Sequence, residues 1–328
     1  VIRIDNRIGD LVLSTPALRA LRKKLPQAAI TLILNSGTRD LAKAIPWMDK
    51  VVVYRNLIQA TRVLRQENFD LAIDLLMNYS LKSALLAFLS GATHRLGYAI
   101  QGREAFFNIG VKPDEKEKHM IERNLDVVRA IGVDTVDKDP ELVISGEETK
   151  YIAEFLIRQN VSREDLLVGI HPGGHYPSQR WLPERFAQLA DEIIIRFDAK
   201  VIVIGGLNER ALVHKVAGSM KKKVIEAAGF ELNKLSALIA CCNLFICNNS
   251  GPLHIAAALK TPTISTMGPT VANLWWPWGE DHIVIRKNLS CISCNLGVCK
   301  THLCMELITV EDVLEAVKKQ LERIRKNK

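Results

Sequence analysis

The sequence predicts an α/β protein made of two Rossmann-like domains with parallel sheets. The chain has 328 residues, which exceeds the size at which one hydrophobic core usually stops growing. Short apolar strand patterns alternate with amphipathic helical patterns in both halves. A polar stretch containing Pro140 and Gly146 separates the halves. We therefore predict a first domain over residues 1–145, a second over 146–308 and a terminal helix over 309–328.

The strand patterns lie between helical patterns, as in doubly wound sheets. Those of the first half are Val1–Ile4, Ile30–Asn35, Val51–Tyr54 and Asp70–Leu75. Those of the second half are Leu166–Ile170, Lys200–Ile204, Val224–Ile225, Leu244–Cys247 and Thr263–Met267. Pro16 favours a helix start at Thr15, although a helix that begins near Gly9 and bends at the proline fits as well. Thr309 is predicted to cap the terminal helix, in which apolar residues recur at helical spacing.

The charge balance favours anionic partners. The formal net charge is +8 and the pI is about 9.1, which suits phosphates, nucleic acid or an acidic membrane surface. Basic residues are scattered and aromatic residues make up only 6%, so we do not expect nucleic-acid binding. Apolar runs fall short of the roughly 20 residues that a membrane-spanning helix needs. Val1 lies inside a strand pattern, so we expect a few residues before it, and no signal-peptide pattern follows.

Three polar, glycine-containing segments follow predicted strands, at the sheet edge where open α/β proteins bind ligands. The first includes Asn6, Arg7, Gly9 and Asp10. Gly9 would let the backbone approach a ligand closely, and Asp10 would stand at the start of a helix. The Asp10 carboxylate could cap that helix or face the ligand, and the residues alone favour neither.

The second segment, His171–Trp181, combines Gly173 and Gly174 with Arg180. Flexible glycines beside a guanidinium suit a diphosphate, because arginine presents a planar fork of donors to phosphate oxygens. Arg180 could instead be a surface charge, and Trp181 is more typical of a core anchor.

The third segment, Asn248–Ala258, predicts a helix start with Ser250 and Gly251 at the cap and Pro252 in the first turn. Unpaired amides and the positive end of the helix dipole would attract an anion there. His254 could face that anion, but a histidine satisfied within the fold is the commoner outcome.

Taken in this order, the three segments resemble glycosyltransferase family 9, the family of the lipopolysaccharide heptosyltransferases. The resemblance rests on Arg3–Pro16, His171–Phe186, Asn248–Ala258 and Met267-Gly268-Pro269-Thr270, and it spans nearly the whole chain. It implies a GT-B fold of two facing Rossmann-like domains, with the acceptor bound mainly by the first and a nucleotide-sugar donor mainly by the second. It also implies a terminal helix that can pack back on the first domain.

The resemblance further implies an inverting transfer that requires no metal or other cofactor. Asp10 would remove the proton of the acceptor hydroxyl, and a positioned base typically contributes ~10²–10⁴-fold to a rate. Asn6, Arg7 and the loop Asn78–Ser80 stand at strand ends and, with Gly9, are candidate acceptor contacts, although each taken singly is more typical of a structural role. The donor would be held by residues of the second and third segments: Gly173, Gly174, Gln179, Arg180, Asn249, Ser250, Gly251, Pro252 and His254.

Two positions depart from the family pattern. Gln179 stands where a lysine usually precedes Arg-Trp, and Asn249 stands where an aspartate usually precedes Ser-Gly-Pro. Together they remove one positive and one negative charge from the predicted donor pocket. The charge balance is preserved if the two side chains are close. Otherwise the departures indicate a different donor or a weak transferase, and the sequence leaves these alternatives open.

Four cysteines before the terminal helix, Cys291, Cys294, Cys299 and Cys304, have the spacing C-x₂-C-x₄-C-x₄-C. Four thiolates could hold zinc or an iron–sulfur cluster, could form disulfides, or could stay reduced and free. The spacing lacks the paired C-x₂-C knuckles of a zinc ribbon, so the metal assignment stays open. The remaining cysteines lie in apolar patterns and are predicted to be core residues: Cys241, Cys242 and Cys247.

The predicted function is therefore an ADP-heptose:lipopolysaccharide heptosyltransferase that extends a core oligosaccharide. Its acceptor would be an anionic, lipid-linked saccharide. The protein would be a cytoplasmic monomer with peripheral contact to the inner membrane. Two alternatives remain: a transferase of the same fold that uses another nucleotide sugar, and a catalytically silent nucleotide-sugar-binding protein.

Overall fold

The computed structural model describes residues 1–77 and 81–326. The loop Asn78–Ser80, considered above as an acceptor contact, lies outside these residues. The chain divides into two compact units, Val1–Leu142 and Val143–Lys328. Each unit contains a six-stranded sheet, and within the described ranges the strand pairings are parallel. No helix in those ranges has both the length and the apolar composition needed to cross a bilayer.

The first unit is a doubly wound sheet. Its strands are β1 Ile2–Arg3, β2 Thr31–Asn35, β3 Lys50–Tyr54, β4 Leu71–Asp74, β5 His94–Tyr98 and β6 Ile109–Val111. Its helices are α1 Ile8–Val12, α2 Thr15–Lys24, α3 Arg39–Ala42, α4 Leu57–Gln66, α5 Leu81–Leu89 and α6 Met120–Arg129, with 3₁₀ turns at Ser36–Thr38 and Arg103–Phe106. The spatial order is β3-β2-β1-β4-β5-β6, so the winding direction reverses between β1 and β4.

The second unit repeats this arrangement. Its strands are β7 Leu167–His171, β8 Lys200–Gly206, β9 Ile225–Phe230, β10 Leu244–Asn248, β11 Thr263–Thr266 and β12 His282–Ile285. Its helices are α7 Gly146–Arg158, α8 Pro183–Phe197, α9 Arg210–Gly218, α10 Leu232–Cys241, α11 Gly251–Ala258, α12 Ala272–Trp275, α13 Leu303–Glu306 and α14 Val310–Lys326, with a 3₁₀ turn at Pro177–Gln179. The order is β12-β11-β10-β7-β8-β9, which places the reversal between β7 and β10. Ligands of such sheets bind beyond the carboxyl ends of the strands at this switch point.

The sequence patterns identified the central strands but missed β5, β6 and β12. β5 carries His94, Arg95 and Gly97, β6 has only three residues, and β12 is only half-buried. Outer strands of this kind lack the continuous buried apolar run that marks a central parallel strand.

Both alternatives for the first helix are realised in part. α1 begins at Ile8, its helical hydrogen bonding ends at Leu13, and α2 begins at Thr15 with Pro16 in its first turn. The N-cap of α1 is Arg7, so Asp10 lies within the first turn of a short helix that directly follows β1.

The terminal helix α14 belongs to the core of the second unit. Thr309 and Asp312 form the predicted cap, because the Asp312 N–H donates to Thr309 Oγ1 (3.1 Å) and the Thr309 N–H donates to Asp312 Oδ2 (2.7 Å). The buried residues Val313, Val317 and Leu321 join the cluster that also contains residues of α8 and β7. The buried apolar face of α14 is therefore part of the core of its own unit, and packing of this helix on the first domain stays a prediction.

Candidate active site

The three predicted segments follow β1, β7 and β10, which are strands at the two switch points. The first segment belongs to the first unit, and the second and third belong to the second unit. We call the residues around Asp10 the first-unit site, and the loop 171–181 with the start of α11 the second-unit site. Each lies where a doubly wound sheet binds its ligand.

Asp10 is a buried carboxylate and not a helix cap. It is 4% exposed, and its Oδ1 accepts a hydrogen bond from Arg3 Nη2 at 2.7 Å. Its Oδ2 is buried and has no hydrogen-bond partner in the described part of the chain. The cap alternative is therefore wrong, and one oxygen of the carboxylate is left to accept a proton.

The environment of Asp10 strengthens it as a base. Burial raises the pKa of Asp10 to about 6, while the positive charges of Arg3 and Arg7 oppose the rise and the negative charge of Asp5 adds to it. An ordinary aspartate titrates near ~4. Asp10 is thus ionised at neutral pH but holds a proton better than an exposed aspartate, which is the property of a general base.

Two buried arginines support this site. Arg3 is 2% exposed, and its Nη1 donates to the carbonyl oxygen of Leu75 at 2.8 Å, just beyond β4. Arg103 Nη2 lies 2.5 Å from Asp74 Oδ2, and both side chains are fully buried. Sequence reasoning gave Arg103 and Asp74 no role. Their pairing joins positions 29 residues apart, which no local pattern reveals.

Of the other residues predicted for the first-unit site, two are exposed and one is buried. Asn6 and Arg7 are exposed, and Asn6 lies so close to Gly37 that a Cβ on that glycine would be 2.6 Å from Asn6 Oδ1. Gly9 is buried inside α1, where its carbonyl oxygen accepts the N–H of Leu13 at 2.9 Å. Their contact with an acceptor stays a prediction.

Asn248 organises the second-unit site. Its Oδ1 accepts hydrogen bonds from the Trp181 N–H (2.8 Å) and the Thr266 hydroxyl (2.8 Å). Its Nδ2 donates to the carbonyl oxygens of Pro172 (2.9 Å) and Gly173 (2.8 Å). This buried amide therefore fixes the loop of residues 171–181, which we call the glycine loop. The available signal was a polar residue ending an otherwise apolar strand, and sequence reasoning did not use it.

Glu209 is a further site residue that sequence reasoning missed. Its Oε2 accepts the Gly206 N–H (2.8 Å) and lies 3.0 Å from His171 Nε2. A Cβ on Gly173 would be 1.9 Å from Glu209 Oε1, so the carboxylate lies directly against the glycine loop. Although burial acts in the opposite direction, His171, the Gly206 N–H and Arg180 lower the pKa of Glu209 to about 2.

Arg180 is anchored to the same loop. Its Nε donates to the carbonyl oxygen of Gly174 at 2.9 Å, although the residue is exposed. Trp181 is fully buried, as expected of a core anchor, and its Nε1 donates to the carbonyl oxygen of Ile308 at 2.9 Å. The glycine loop therefore ends in an exposed cation held beside a rigid indole.

The start of α11 lies beyond the end of β10. Ser250 is the N-cap, and Gly251 and Pro252 open the first turn. Amides at the first positions of a helix have no intrahelical acceptor, so those of Ser250 and Gly251 can donate to an anion. His254 is buried and its ring centroid lies 6.2 Å from that of Trp275, which puts it inside the fold.

Gln179 and Asn249, the two residues that depart from the family pattern, both contact the segment that follows β11. Gln179 Nε2 donates to Thr270 Oγ1 at 3.3 Å, and Asn249 Nδ2 donates to the carbonyl oxygen of Trp275 at 3.0 Å. Both side chains thus hold the segment that follows β11. An ionised aspartate at position 249 has no proton to donate to that carbonyl.

The cysteine-rich segment contacts the second-unit site. The Ser178 hydroxyl donates to the carbonyl oxygen of Leu296 at 2.5 Å, and His302 Nε2 lies 3.0 Å from the carbonyl oxygen of Ser178. Its thiols are free and range from exposed to buried: Cys291, Cys294, Cys299 and Cys304. Within the described residues, no cluster of three or more acidic, histidine or cysteine side chains could hold a metal ion.

The other cysteines meet the core prediction in part. Cys242 and Cys247 are buried, as predicted, and burial raises the pKa of both thiols. The prediction is wrong for Cys241, which is exposed at the end of α10.

Comparison with known proteins identifies relatives over most of the chain. A sequence profile described as "Glycosyltransferase family 9 (heptosyltransferase)" matches residues 57–304. The chain is 25% identical over 302 residues to lipopolysaccharide heptosyltransferase 2 of Escherichia coli (strain K12), covering 85% of each chain. It is 27% identical over 337 residues to lipopolysaccharide heptosyltransferase 3 of the same strain, covering 95% of each.

Solved structures share the fold along nearly its whole length. The glycosyltransferase family 9 structure from Veillonella parvula DSM 2008 has a TM-score of 0.85 and 26% identity, covering 98% of this chain and 96% of that one. The E. coli ADP-heptose lipopolysaccharide heptosyltransferase II has a TM-score of 0.84 and 24% identity, covering 98% of both. The predicted GT-B class, with two Rossmann-like units of parallel strands, is confirmed.

Proposed function

The chain belongs to glycosyltransferase family 9, and from this membership we propose that it transfers heptose from ADP-heptose to a hydroxyl of a lipopolysaccharide core saccharide. Glycosyl transfer follows from the family, whereas the donor and the acceptor are the proposal. They are supported by relatives named lipopolysaccharide heptosyltransferases and by a solved neighbour named for ADP-heptose.

The proposed chemistry is an inverting displacement with Asp10 as the general base. Asp10 Oδ2 takes the proton of the acceptor hydroxyl as the hydroxyl oxygen bonds to the anomeric carbon. The bond from that carbon to the diphosphate oxygen breaks, and its electron pair leaves with ADP. The observation that carries this role is the buried Oδ2 without a hydrogen-bond partner among the described residues, beside an Oδ1 that Arg3 holds.

The second-unit site supports binding of the donor diphosphate. The amides of Ser250 and Gly251 and the guanidinium of Arg180 are donors suited to phosphate oxygens, and Asn248 holds the adjoining glycine loop rigid. Charge grows on the diphosphate as the bond breaks, so these groups would stabilise the transition state more than the ground state. We propose that this stabilisation makes a metal ion unnecessary.

Glu209 fits the donor in a different way. A carboxylate whose pKa is about 2 is ionised at working pH and accepts hydrogen bonds only. It would repel phosphate oxygens but would accept hydrogen bonds from the hydroxyls of the ribose or the sugar. We propose that it orients one of these hydroxyl groups beside the glycine loop.

The acceptor is proposed to be anionic and lipid-linked. The net charge of +8 favours such a molecule and a peripheral contact with the inner membrane from the cytoplasmic side. We propose that the protein acts there as a monomer and that its acceptor contacts include Asn6, Arg7 and Gly9.

The test measures ADP release from ADP-heptose with a deacylated lipopolysaccharide acceptor. We expect Asp10→Asn to lose ~10²–10⁴-fold in kcat because the positioned base is removed. ADP binding should be unchanged in this variant, because the donor groups belong to the second unit. Asp137→Asn is the matched control, since this exposed carboxylate pairs with Arg19 at 2.8 Å outside the site. Full activity of Asp10→Asn would remove Asp10 from the proposed role.

The same assay tests the metal and the stereochemistry. We expect activity to survive EDTA and the product linkage to have the anomeric configuration opposite to that of the donor. Loss of activity with EDTA and its return with added metal would contradict a metal-free transfer.

A second candidate is a family 9 transferase with another nucleotide sugar, favoured by the neutral Gln179 and Asn249. Both side chains hydrogen-bond the segment after β11, so they shape the second-unit site without supplying charge. Thermal-shift measurements with ADP, UDP and GDP separate the candidates. Stabilisation by UDP or GDP and not by ADP would favour the second, and binding without turnover of any donor would favour a silent binding protein.

A further inference from the structure

We infer that Arg3 and Asp5 form a positioning pair that acts on Asp10 in opposite directions. Arg3 holds the ionised Asp10 carboxylate in place, and Asp5, already the more distant partner of Arg3, becomes its main counter-ion once Asp10 has taken a proton. The inference rests on the proposed role of Asp10 as the base and adds the groups that carry it through the proton cycle.

The Arg3 guanidinium is fixed on two sides. Nη1 donates to the Leu75 carbonyl oxygen at 2.8 Å, and Nη2 donates to Asp10 Oδ1 at 2.7 Å. A guanidinium held at the end of β4 cannot follow a moving partner, so it sets the position of Asp10. The fixed Oδ1 in turn aims Oδ2 as the proton acceptor.

The third side of Arg3 faces Asp5 in an ion pair that is not yet a hydrogen bond. Arg3 Nε lies 3.6 Å from Asp5 Oδ1, which is too long for a hydrogen bond. Both atoms are buried and neither has a hydrogen-bond partner in residues 1–77 and 81–326. A shift of about 0.5 Å would close the bond. Buried polar groups are almost always paired, so two unpaired groups that face each other indicate a partner for another state.

Asp74 is not available for this role. It lies near Arg3, but its Oδ2 is 2.5 Å from Arg103 Nη2 and its Oδ1 accepts the Leu76 N–H at 2.9 Å. Arg7 is exposed at the N-cap of α1 and adds a screened positive charge near Asp10. Among these charged groups, Asp5 is thus the carboxylate that can compensate the positive charge of Arg3.

The position of Asp5 beside Arg3 matters when Asp10 changes its protonation state. When the acceptor proton moves to Asp10 Oδ2, the carboxylate becomes neutral and Arg3 loses its closest counter-ion. A buried guanidinium without a counter-ion is strongly destabilising. If Asp5 closes on Nε, the charge stays compensated, so the protonated enzyme forms more readily and Asp10 is a stronger base.

The test follows the titration of Asp10 in three variants of the whole chain, by ¹³C NMR of labelled aspartate carboxyls and by the pH profile of kcat. Arg3→Met removes the positive charge, so the pKa of Asp10 should rise by about one unit or more. Asp5→Asn removes the negative charge, so the pKa should fall by about the same amount. Arg3→Lys keeps the charge and should give a smaller rise than Arg3→Met. The acid limb of kcat should move in the same directions.

The controls keep the outcome decisive. Asp137→Asn should leave the titration of Asp10 unchanged. If Arg3→Met does not fold, Arg3→Lys and the nearly isosteric Asp5→Asn still give the two opposite shifts. Shifts of one sign in both, or no shift in Asp5→Asn, would overturn the pair. Opposite NMR shifts in a protein that transfers no sugar would keep the pair and remove the proposed function, because the titration needs no turnover.

Discussion

At the switch point of the first sheet the buried polar groups are charged, whereas at the same point of the second sheet the central buried group is a neutral amide. The first-unit site contains Arg3, Asp10, Asp74 and Arg103, each almost or fully buried. The second-unit site is organised by Asn248, and its cation Arg180 is exposed. Two sheets of one strand order thus support two kinds of chemistry.

The difference follows from what each site is proposed to handle. A proton changes the charge of the group that receives it, so a base needs buried counter-charges that respond. A diphosphate keeps its charge on entry and gains charge on leaving, so it needs donors that stay in place. Backbone amides and a satisfied Asn side chain provide such donors without the cost of burying ions.

The two largest expected effects concern the central buried polar groups of the two units. Arg103→Met should lower the free energy of unfolding of the first unit by about 3–5 kcal/mol, because Asp74 becomes an uncompensated buried charge. Adding Asp74→Leu should restore part of this loss, because it removes the unpaired charge but leaves the Leu76 N–H without its partner. Hydrogen exchange resolved by unit gives the measurement, and a double variant as unstable as the single one would contradict the ionic description.

The matched change in the second unit is Asn248→Leu. It leaves the Trp181 N–H and the Pro172 and Gly173 carbonyls without their partners, at about 1–3 kcal/mol for each buried group. These partners are backbone groups, so no second side-chain replacement can relieve them. If a single second substitution restored the stability of Asn248→Leu, the proposed difference between the two sites would be contradicted.

The next effect is a difference in the sign of the pH dependence. The pKa of Asp10 is raised to about 6, so the folded first unit binds a proton that the unfolded chain has lost. Its stability should fall by up to about 3 kcal/mol as pH rises from ~4 through 6, and Asp10→Asn should flatten that slope. Urea denaturation at several pH values gives the measurement.

Glu209 should show the opposite sign in the second unit. Its pKa is lowered to about 2, so its contribution is present above ~4.5 and is lost as pH falls through 2. The effect should be smaller than that of Asp10, because 29% of the side chain is exposed and screened by solvent. Glu209→Gln should remove it. Slopes of the same sign in both units would contradict the assigned environments.

A smaller effect tests the glycine loop. A Cβ on Gly173 would be 1.9 Å from Glu209 Oε1, whereas a Cβ on Gly174 would be 3.2 Å from Arg180 Cγ, which lies on a flexible side chain. Gly173→Ala should weaken ADP binding about tenfold or more, which corresponds to ~1.4 kcal/mol. Gly174→Ala should change it less than about threefold. Calorimetric titration with ADP compares the two, and equal losses would show that the glycines are not distinguished by Glu209.

The smallest effect concerns Asn249. Asn249→Asp removes the donor to the Trp275 carbonyl and should lower the stability of the second unit by about 1 kcal/mol or less. Ser250→Ala is the neighbouring control, since its hydroxyl donates to the Asn248 carbonyl over a longer 3.3 Å and should contribute less. Urea denaturation ranks the two, and a neutral Asn249→Asp would indicate that the family's usual aspartate fits here unchanged.

How far the sequence predicts this molecule depends on the range of the interactions. Central strands and the segments after β1, β7 and β10 are local signals, so Asp10 and the glycine loop were found. Glu209 was missed because its contact with His171 spans 38 residues, and Asn248 because its contact with Trp181 spans 67. The cap alternative for Asp10 is excluded only by the helix start at Arg7 and the contact with Arg3, which the fold supplies.

The position of α14 also bears on the timing of synthesis. The strands of the first unit are complete by residue 142, whereas the core of the second unit includes Val313, Val317 and Leu321. At typical translation rates the ribosome needs roughly 10 to 40 s to add the intervening residues. During that interval the first unit can fold and form its buried ion pairs. The strands of the second unit that have been synthesised lack α14, so part of their apolar core stays uncovered. A chaperone acting on this nascent chain would meet mainly the second unit.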